Sequence, residues 1–159
     1  MNTATNNNSQ EKKYFDLHTT GLGYVNRVRA ISPKKGPNYV ACTIAALVGE
    51  AGEKRYTKFD VSIVGVEAEK VIEMLGDEIN AKAPNGESLN KILIGFRIGD
   101  IRPETFTYKN KENVDTLGVT IKGRLLKILW AKVNGEDRYK APEQEAASAE
   151  VPDATGTEG

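Results

Sequence analysis

The fold is decided by residues 91–140, KILIGFRIGDIRPETFTYKNKENVDTLGVTIKGRLLKILWAKVNGEDRYK. Apolar residues occupy every second position over much of this stretch, and Arg97, Lys122 and Arg124 lie between them. Because successive side chains of a β-strand point to opposite faces, the pattern predicts long strands with one apolar and one cationic face. A cationic face that also carries aromatic rings is what a groove for single-stranded nucleic acid needs. The alternating apolar positions are Ile92, Ile94, Phe96 and Ile98 in one run and Val119 and Ile121 in another.

Charge is distributed unevenly along the 159 residues, although the chain as a whole is neutral, with 22 basic and 22 acidic residues. All 22 basic residues and 17 of the acids lie within residues 1–140, which leaves this part at +5. The five remaining acids follow Lys140 without any base. Residues 66–83 carry five acids and two lysines. This separation predicts a basic surface built from strands and an acidic helix away from it. The alternative is a solvated surface with scattered lysines.

The composition argues against several classes of protein. Cys42 is the single cysteine and His18 the single histidine, so neither a disulfide nor a zinc site is expected, and a reducing, cytoplasmic setting follows. The apolar runs are far shorter than the roughly 18–20 residues of a membrane span, and the first residues resemble no secretory signal. No phosphate-binding loop, paired acids or catalytic triad spacing is present, so we expect no enzyme, no cofactor, no metal and no membrane partner.

The order of elements predicts a mainly β fold with a single helix. The helix should bury a stripe formed by Val66, Val71, Met74, Leu75 and Ile79, and Phe59, Phe96 and Phe106 should enter the core. Gly21 and Gly23 should permit a bulge before the first strand, in which Val25, Arg27 and Arg29 should share one face. Residues 14–17 could add a short edge strand or a strap, and Asn134-Gly135 predicts a hairpin. The expected strands are residues 24–31, 39–47, 55–64, 92–101 continuing into 105–109, 118–133 and 137–140, with the helix at 66–83.

A lone helix between the third and fourth of five coiled strands is the plan of the OB-fold, a partly open Greek-key barrel. We therefore expect a five-stranded OB-fold-like barrel over residues 13–140, with disordered tails at 1–12 and 141–159, the second of them acidic. Gly95, Gly99 and Gly123 would let the long strands bend round the barrel. A β-sandwich is the competing architecture, but it does not predict one amphipathic helix at this point.

The sequence also resembles known families over residues 14–139. The segments 23–31 (GYVNRVRAI), 54–65 (KRYTKFDVSIVG), 91–110 and 118–128 (GVTIKGRLLKI) follow the layout of bacterial single-stranded-DNA-binding proteins. Residues 14–29 (YFDLHTTGLGYVNRVR), 41–47 (ACTIAAL) and 92–108 are similar to a replication-associated family encoded on bacterial integrative and conjugative elements. The resemblance implies a role in replication or transfer of a mobile element. One departure is the end of the chain, DATGTEG, which lacks the aromatic tip with which those binding proteins recruit partners.

The expected site is the face of the second and third strands, flanked by the loops between strands 1–2 and 4–5. Cations there would neutralise phosphates, and aromatic rings would stack on bases without reading sequence. We therefore predict largely sequence-independent binding of single-stranded DNA. The alternative is a protein-interaction or oligomeric scaffold that uses residues such as Leu93 or Leu129, with replication or conjugation proteins or a second copy as partners. The candidate cations are Arg27, Arg29, Lys34, Lys35, Lys58, Arg97, Lys109, Lys122 and Arg124, and the candidate stacking residues are Tyr39, Tyr56, Tyr108 and Trp130.

Overall fold

The computed structural model of the protein describes residues 14–142, so the predicted tail at 1–12 and residues 143–159 of the predicted acidic tail lie outside the described residues. Six strands of one sheet and one helix make up this part of the chain, and the expected mainly β class with a helix after the third strand is confirmed. The elements are β1 (His18–Ile31), β2 (Tyr39–Val48), β3 (Arg55–Ile63), α1 (Val66–Asn80), β4 (Ile92–Lys109), β5 (Asp115–Val133) and β6 (Glu136–Lys140).

The strands pair in the order β3-β2-β1-β4-β5-β6, and each of these neighbouring pairs is antiparallel. β3 also pairs with β5, in parallel, from Phe59 opposite Ile121 to Ile63 opposite Leu125. The predicted hairpin at Asn134-Gly135 joins β5 to β6, and both residues have positive φ angles, 51° and 87°, as a type I′ turn requires.

The core lies between the inward faces of the strands and the helix. Cys42, Ile44 and Ile94 are fully buried there, and Phe59 and Phe96 pack together with ring centroids 6.4 Å apart. Burial raises the pKa of the Cys42 thiol to about 12, so the thiolate does not form near neutral pH. Cys42 is therefore a small apolar core residue.

The helix α1 buries Val71, Leu75 and Ile79 of the predicted stripe and ends three residues earlier than predicted. Val66 and Met74 are exposed, at 67% and 54%, because they lie to either side of the line that faces the sheet. Ala68 and Ile72 take their place on the buried side, together with the expected Leu75. This spacing of three and four residues is the one that keeps side chains on a single helix face.

The bulge in β1 lies four to six residues later than expected. Gly21 and Gly23 pair regularly with β4, whereas the β1–β2 register breaks between Asn26 and Arg29, with Arg27 at φ 53°. The prediction that Val25 shares a face with Arg27 and Arg29 was therefore wrong. Val25 is 2% exposed and lies in the core.

Asn80, the last residue of α1, supplies the hydrogen bonds that the bulge would otherwise lack. Its Oδ1 accepts from the Val28 amide at 3.0 Å, and its Nδ2 donates to the Val28 carbonyl at 2.9 Å. Because a backbone group without a partner is costly, this pair of bonds fixes the bulge to the end of the helix.

The first strand begins at His18, earlier than predicted, because residues 18–24 pair with β4. Tyr14–Leu17 form no strand, contrary to the suggestion of an edge strand, and Leu17 accepts one hydrogen bond from the Asp100 amide at 3.1 Å. At the other end, Ala141, the first residue of the predicted tail, is 6% exposed and donates to the Leu129 carbonyl at 2.8 Å.

The hairpin of β4 and β5 extends beyond the core as an arm, which we define as residues 102–121. Its ladder continues to Lys109 opposite Asp115, yet most of its side chains are exposed. The prediction that Phe106 enters the core was wrong: Phe106 is 47% exposed, because among residues 14–142 no second layer covers the arm at this distance from the helix. Within residues 14–142, no helix has the length and apolar character needed to span a membrane.

Candidate nucleic-acid interface

The faces of β2 and β3 that point away from the core form a flat floor with charged and polar groups along one side. The cross-strand pairs are Ala45 with Lys58, Thr43 with Asp60, and Ala41 with Ser62. Small residues on β2 keep the floor low, and the longer side chains of β3 rise beside it. This alternation places Lys58 and Asp60 on one face, as the sequence predicted.

A groove runs between this floor and the base of the arm. It consists of two clefts of about 550 and 660 Å³, and both are lined by Asp60, Glu104 and Lys122, where they meet. Six basic side chains line the groove against two acidic ones, so its net formal charge is +4. The basic residues are Arg27, Arg29, Lys58, Arg102, Lys122 and Arg124.

Asp60 organises the centre of the groove. Its two carboxylate oxygens accept hydrogen bonds from different cations, Oδ1 from Arg29 and Oδ2 from Lys122, the latter at 2.7 Å. Burial alone would raise the pKa of Asp60, but the bonds from Lys122 and Arg29 outweigh burial and hold the pKa below its ordinary value of 3.8. One carboxylate thus fixes two cations side by side with a net charge of +1.

Carboxylates also hold the outer cations of the groove and arm. Arg124 donates to Asp100 at 2.8 Å, and Arg102 lies 3.3 Å from Glu104. On the arm, Lys109 lies 2.6 Å from Asp115. These exposed pairs contribute little to stability, but they hold long side chains in position. Arg27 and Lys58 have no carboxylate partner within residues 14–142, so they are the groove cations whose charge is least compensated.

Exposed tyrosines lie on the same side of the sheet. Tyr39, 43% exposed, lines the first cleft, and Tyr56, 48% exposed, lies two residues before Lys58 on β3. The Tyr56 ring is held by the half-buried Tyr24, with centroids 6.3 Å apart and the planes inclined at 57°. Aromatic rings that are exposed but fixed are suited to stacking.

A second aromatic pair lies on the arm. Phe106 and Tyr108 have centroids 5.8 Å apart, and Phe106 also lines the second cleft. Gly118 lies opposite Phe106, and a Cβ there would approach the ring to 2.5 Å, so the glycine lets the ring lie across the strand. Sequence reasoning missed Phe106 as a site residue. The available signal was its spacing: residues two apart on a strand share a face, and Tyr108 was already assigned to the site.

The structure brings some of the thirteen predicted site residues together and separates others. Seven of them line neither cleft of the groove, and of these Arg97 and Trp130 lie among the neighbouring strands. Arg97 pairs with Thr20 and Lys127 of the neighbouring strands, and Trp130 lies against Gly95 with the Lys132 ammonium 5.9 Å from its ring. Tyr56 lines a third cleft, and Tyr108 and Lys109 lie on the arm. Lys34 and Lys35 lie in the turn between β1 and β2. The six residues that line the groove are Arg27, Arg29, Tyr39, Lys58, Lys122 and Arg124.

The acidic residues of the site are all held in ion pairs with basic residues. In the part of the chain that the structure describes, no group of three His, Cys, Asp or Glu side chains is placed to hold a metal ion. Asp60 and Asp100 are each bound to arginine, and Asp60 also to lysine.

Comparison with known proteins identifies a family but supplies no activity. No curated protein matches the chain. The model of one family, described as "Protein of unknown function (DUF3577)", matches residues 8–147, which is most of the sequence and includes every strand and the helix. The chain therefore belongs to the DUF3577 family.

Proposed function

We propose that the protein binds single-stranded DNA along the groove, largely without regard to base sequence, and that its strands form an OB-fold-like barrel. The observation that carries the proposal is the coincidence of two features on one side of the sheet. The groove has six basic residues against two acidic ones, and exposed aromatic rings lie in it or beside it. Phosphates and bases are the two groups that such a surface can bind together.

The pairing of the strands supports the barrel. β1 pairs with β2, β2 with β3, β3 with β5, β5 with β4, and β4 with β1, so five strands pair in a closed cycle. The helix α1 follows β3 and precedes β4. A five-stranded cycle with one helix at this point is the plan of the OB-fold, whose oligonucleotide site is the face of strands 2 and 3 with the adjoining loops.

The chemistry of the groove favours a single strand over a duplex. Cations that neutralise phosphates release counterions, which makes affinity fall as salt rises. Tyr39 at one end, Tyr56 beside Lys58, and Phe106 on the arm offer ring faces that only unpaired bases can use. Because every base has a π-face, stacking of this kind is tolerant of sequence.

Arg27 and Lys58 provide the sharpest test of the groove, because neither is committed to an ion pair within residues 14–142. We predict that the double variant Arg27→Ala/Lys58→Ala weakens binding of a labelled oligothymidylate of about 16 nucleotides by roughly tenfold at low salt. Fluorescence anisotropy measures the affinity, and circular dichroism checks the fold.

The charge-matched control is Lys70→Ala/Lys140→Ala, which removes two exposed lysines outside the groove. It should bind the oligonucleotide nearly as well as the unmodified protein. Equal losses in both double variants would mean that only net charge matters and would reject the groove as the binding surface.

A second candidate function is a protein-interaction module, and one observation favours it. Leu117 and Val119 are 68% and 66% exposed, and they lie opposite Thr107 and Thr105 on the arm, on alternate positions to Phe106. An apolar strip of this kind suits a protein partner or a second copy of the chain. Tight binding to a partner with little response to salt, and no binding of oligonucleotides, would favour this function.

The wider role rests on sequence resemblance alone. We propose that single-strand binding serves replication or transfer of a mobile genetic element, in the cytoplasm and alongside replication or conjugation proteins. Deletion of the gene from such an element, followed by measurement of its copy number and transfer frequency, tests this role. Unchanged values for both would reject it, whatever the DNA-binding result.

A further inference from the structure

The third cleft is a small pocket beside Tyr24 and Tyr56, separate from the two clefts of the groove. It has a volume of about 200 Å³ and forms where β1 and β4 separate beyond the pair Tyr24–Leu93. Drug-sized ligands occupy cavities of about 300–1,000 Å³, so this pocket suits a smaller group. We propose that it holds a single nucleobase with its adjoining phosphate, at the end of the path that the DNA strand follows through the groove. The path of the DNA strand towards the pocket rests on the proposed function. The choice of ligand rests on the residues of the pocket itself.

The position of the pocket continues the groove. Asn26 of the pocket is the neighbour of Arg27 in the second cleft, and Tyr56 lies one strand repeat from Lys58 on the same face of β3. A single DNA strand that leaves the second cleft past Lys58 therefore reaches Tyr56 next. The following base can leave the path and enter the pocket.

The aromatic pair supplies the surface for that base. Tyr56 is about half exposed, while Tyr24 is partly buried and packs against it at an angle of 57°. The rings are too close and too inclined for a base to enter between them. A base can instead stack on the free face of Tyr56, while Tyr24 holds that ring in position.

The charge of the pocket is less compensated than that of the groove. Lys54 and Lys91 line it from the residues before β3 and β4, and among the described residues no acidic side chain lines it. Within residues 14–142, neither lysine has a carboxylate partner, whereas four of the groove cations are paired with carboxylates. Two free ammonium groups beside one aromatic face match a phosphate joined to a base.

A polar wall completes the pocket. The Ser88 hydroxyl accepts from Lys82 at 3.1 Å and lies 3.5 Å from Asn26 Oδ1. The side-chain amide nitrogen of Asn26, Nδ2, has no hydrogen-bond partner among the described residues. A half-buried amide with free donors can bond to a carbonyl oxygen on the edge of a base. Thymine and uracil present such oxygens, and adenine presents ring nitrogens that accept in the same way, so the pocket should hold either base.

The test uses thymidine 5′-monophosphate, adenosine 5′-monophosphate and the oligothymidylate with the full chain. We expect both mononucleotides to shift the backbone NMR signals of Tyr24, Asn26 and Tyr56. Lys54→Ala/Lys91→Ala should abolish these shifts and weaken oligothymidylate binding by about threefold to tenfold. Tyr56→Phe should keep both activities and Tyr56→Leu should lose them, because only the first retains a ring.

The controls separate this pocket from the groove. Arg27→Ala/Lys58→Ala should leave the mononucleotide shifts intact, and Lys70→Ala/Lys140→Ala should change neither measurement. If the oligothymidylate binds but Lys54→Ala/Lys91→Ala behaves as the Lys70/Lys140 control does, the pocket is rejected and the proposed function stands. If the mononucleotide binds in the pocket but the oligothymidylate does not bind, the proposed function is rejected and the site is one for free nucleotides.

Discussion

At the scale of single residues, the groove depends on Asp60. The carboxylate lies 31 residues from Arg29 and 62 residues from Lys122 in sequence, yet bonds to both. From the sequence, Lys122 and Arg29 could be assigned to cationic faces, but their common partner could not, because the β3–β5 pairing that brings them together is set by the whole sheet. The partner of a charge is therefore harder to predict than the face on which it lies.

Replacement of Asp60 tests this arrangement through pH. In the folded protein the pKa of Asp60 lies below 3.8, so its ion pairs stabilise fully above that value and are lost as pH falls through the lower, folded pKa. We predict that Asp60→Asn lowers the free energy of unfolding by about 1 kcal/mol near pH 7. The difference from the unmodified protein should shrink at about pH 3. Urea denaturation at both pH values measures it.

Asp137→Asn is the control, because Asp137 is 86% exposed and lies 3.8 Å from its lysine partner. It should alter stability very little at either pH. A loss for Asp60→Asn that is as large at low pH as at neutral pH would show that the ion pairs are not its source.

At the scale of elements, two features escaped the sequence pattern: the bulge in β1 and the exposed arm. Alternation indicates which positions share a face only while the register is regular, and an extra residue at Arg27 reverses it. Alternation also looks the same whether or not a second layer covers the strand, so the pattern placed Phe106 in the core. The regular segments of β2 and β3 and the hairpin at Asn134 were predictable because nothing interrupts them.

The bulge should depend on Asn80. We predict that Asn80→Ala lowers the free energy of unfolding by about 1–3 kcal/mol, since two hydrogen bonds to the Val28 backbone are lost. Hydrogen exchange at the Val28 amide should also become faster. Asn80→Asp is the matched variant, because it keeps the acceptor for the Val28 amide but loses the donor. Its stability should lie between that of the unmodified protein and that of Asn80→Ala. Equal stability of all three proteins would remove Asn80 as the anchor of the bulge.

The arm separates the two candidate functions, because its two faces differ. We predict that Phe106→Ala weakens binding of the oligothymidylate by about fivefold or more, as stacking on one base contributes roughly 1–3 kcal/mol. Leu117→Ala, on the alternate face, should bind DNA as the unmodified protein does. Both side chains are exposed, so neither change should unfold the chain. The reverse order of effects, with Leu117 critical and Phe106 dispensable, would favour a protein partner.

At the scale of the whole molecule, strand order and charge act together. The residues 91–140 that suggested a nucleic-acid groove supply the arm and one wall, whereas the floor comes from β2 and β3. The location of the floor was predicted from the order of elements, since a helix between the third and fourth strands implies where the open face lies. The ion pairs that reduce the groove's charge were not predicted, because they join residues far apart in sequence.

The central claim is that this surface binds single-stranded DNA through phosphate neutralisation and base stacking. The most direct measurement is fluorescence anisotropy with a labelled single strand and the matching duplex, at about 50 and about 200 mM salt. We predict tighter binding of the single strand at both concentrations, and a marked loss of affinity for it at the higher one. Absence of binding at low salt, or equal affinity for single strand and duplex, would contradict the account.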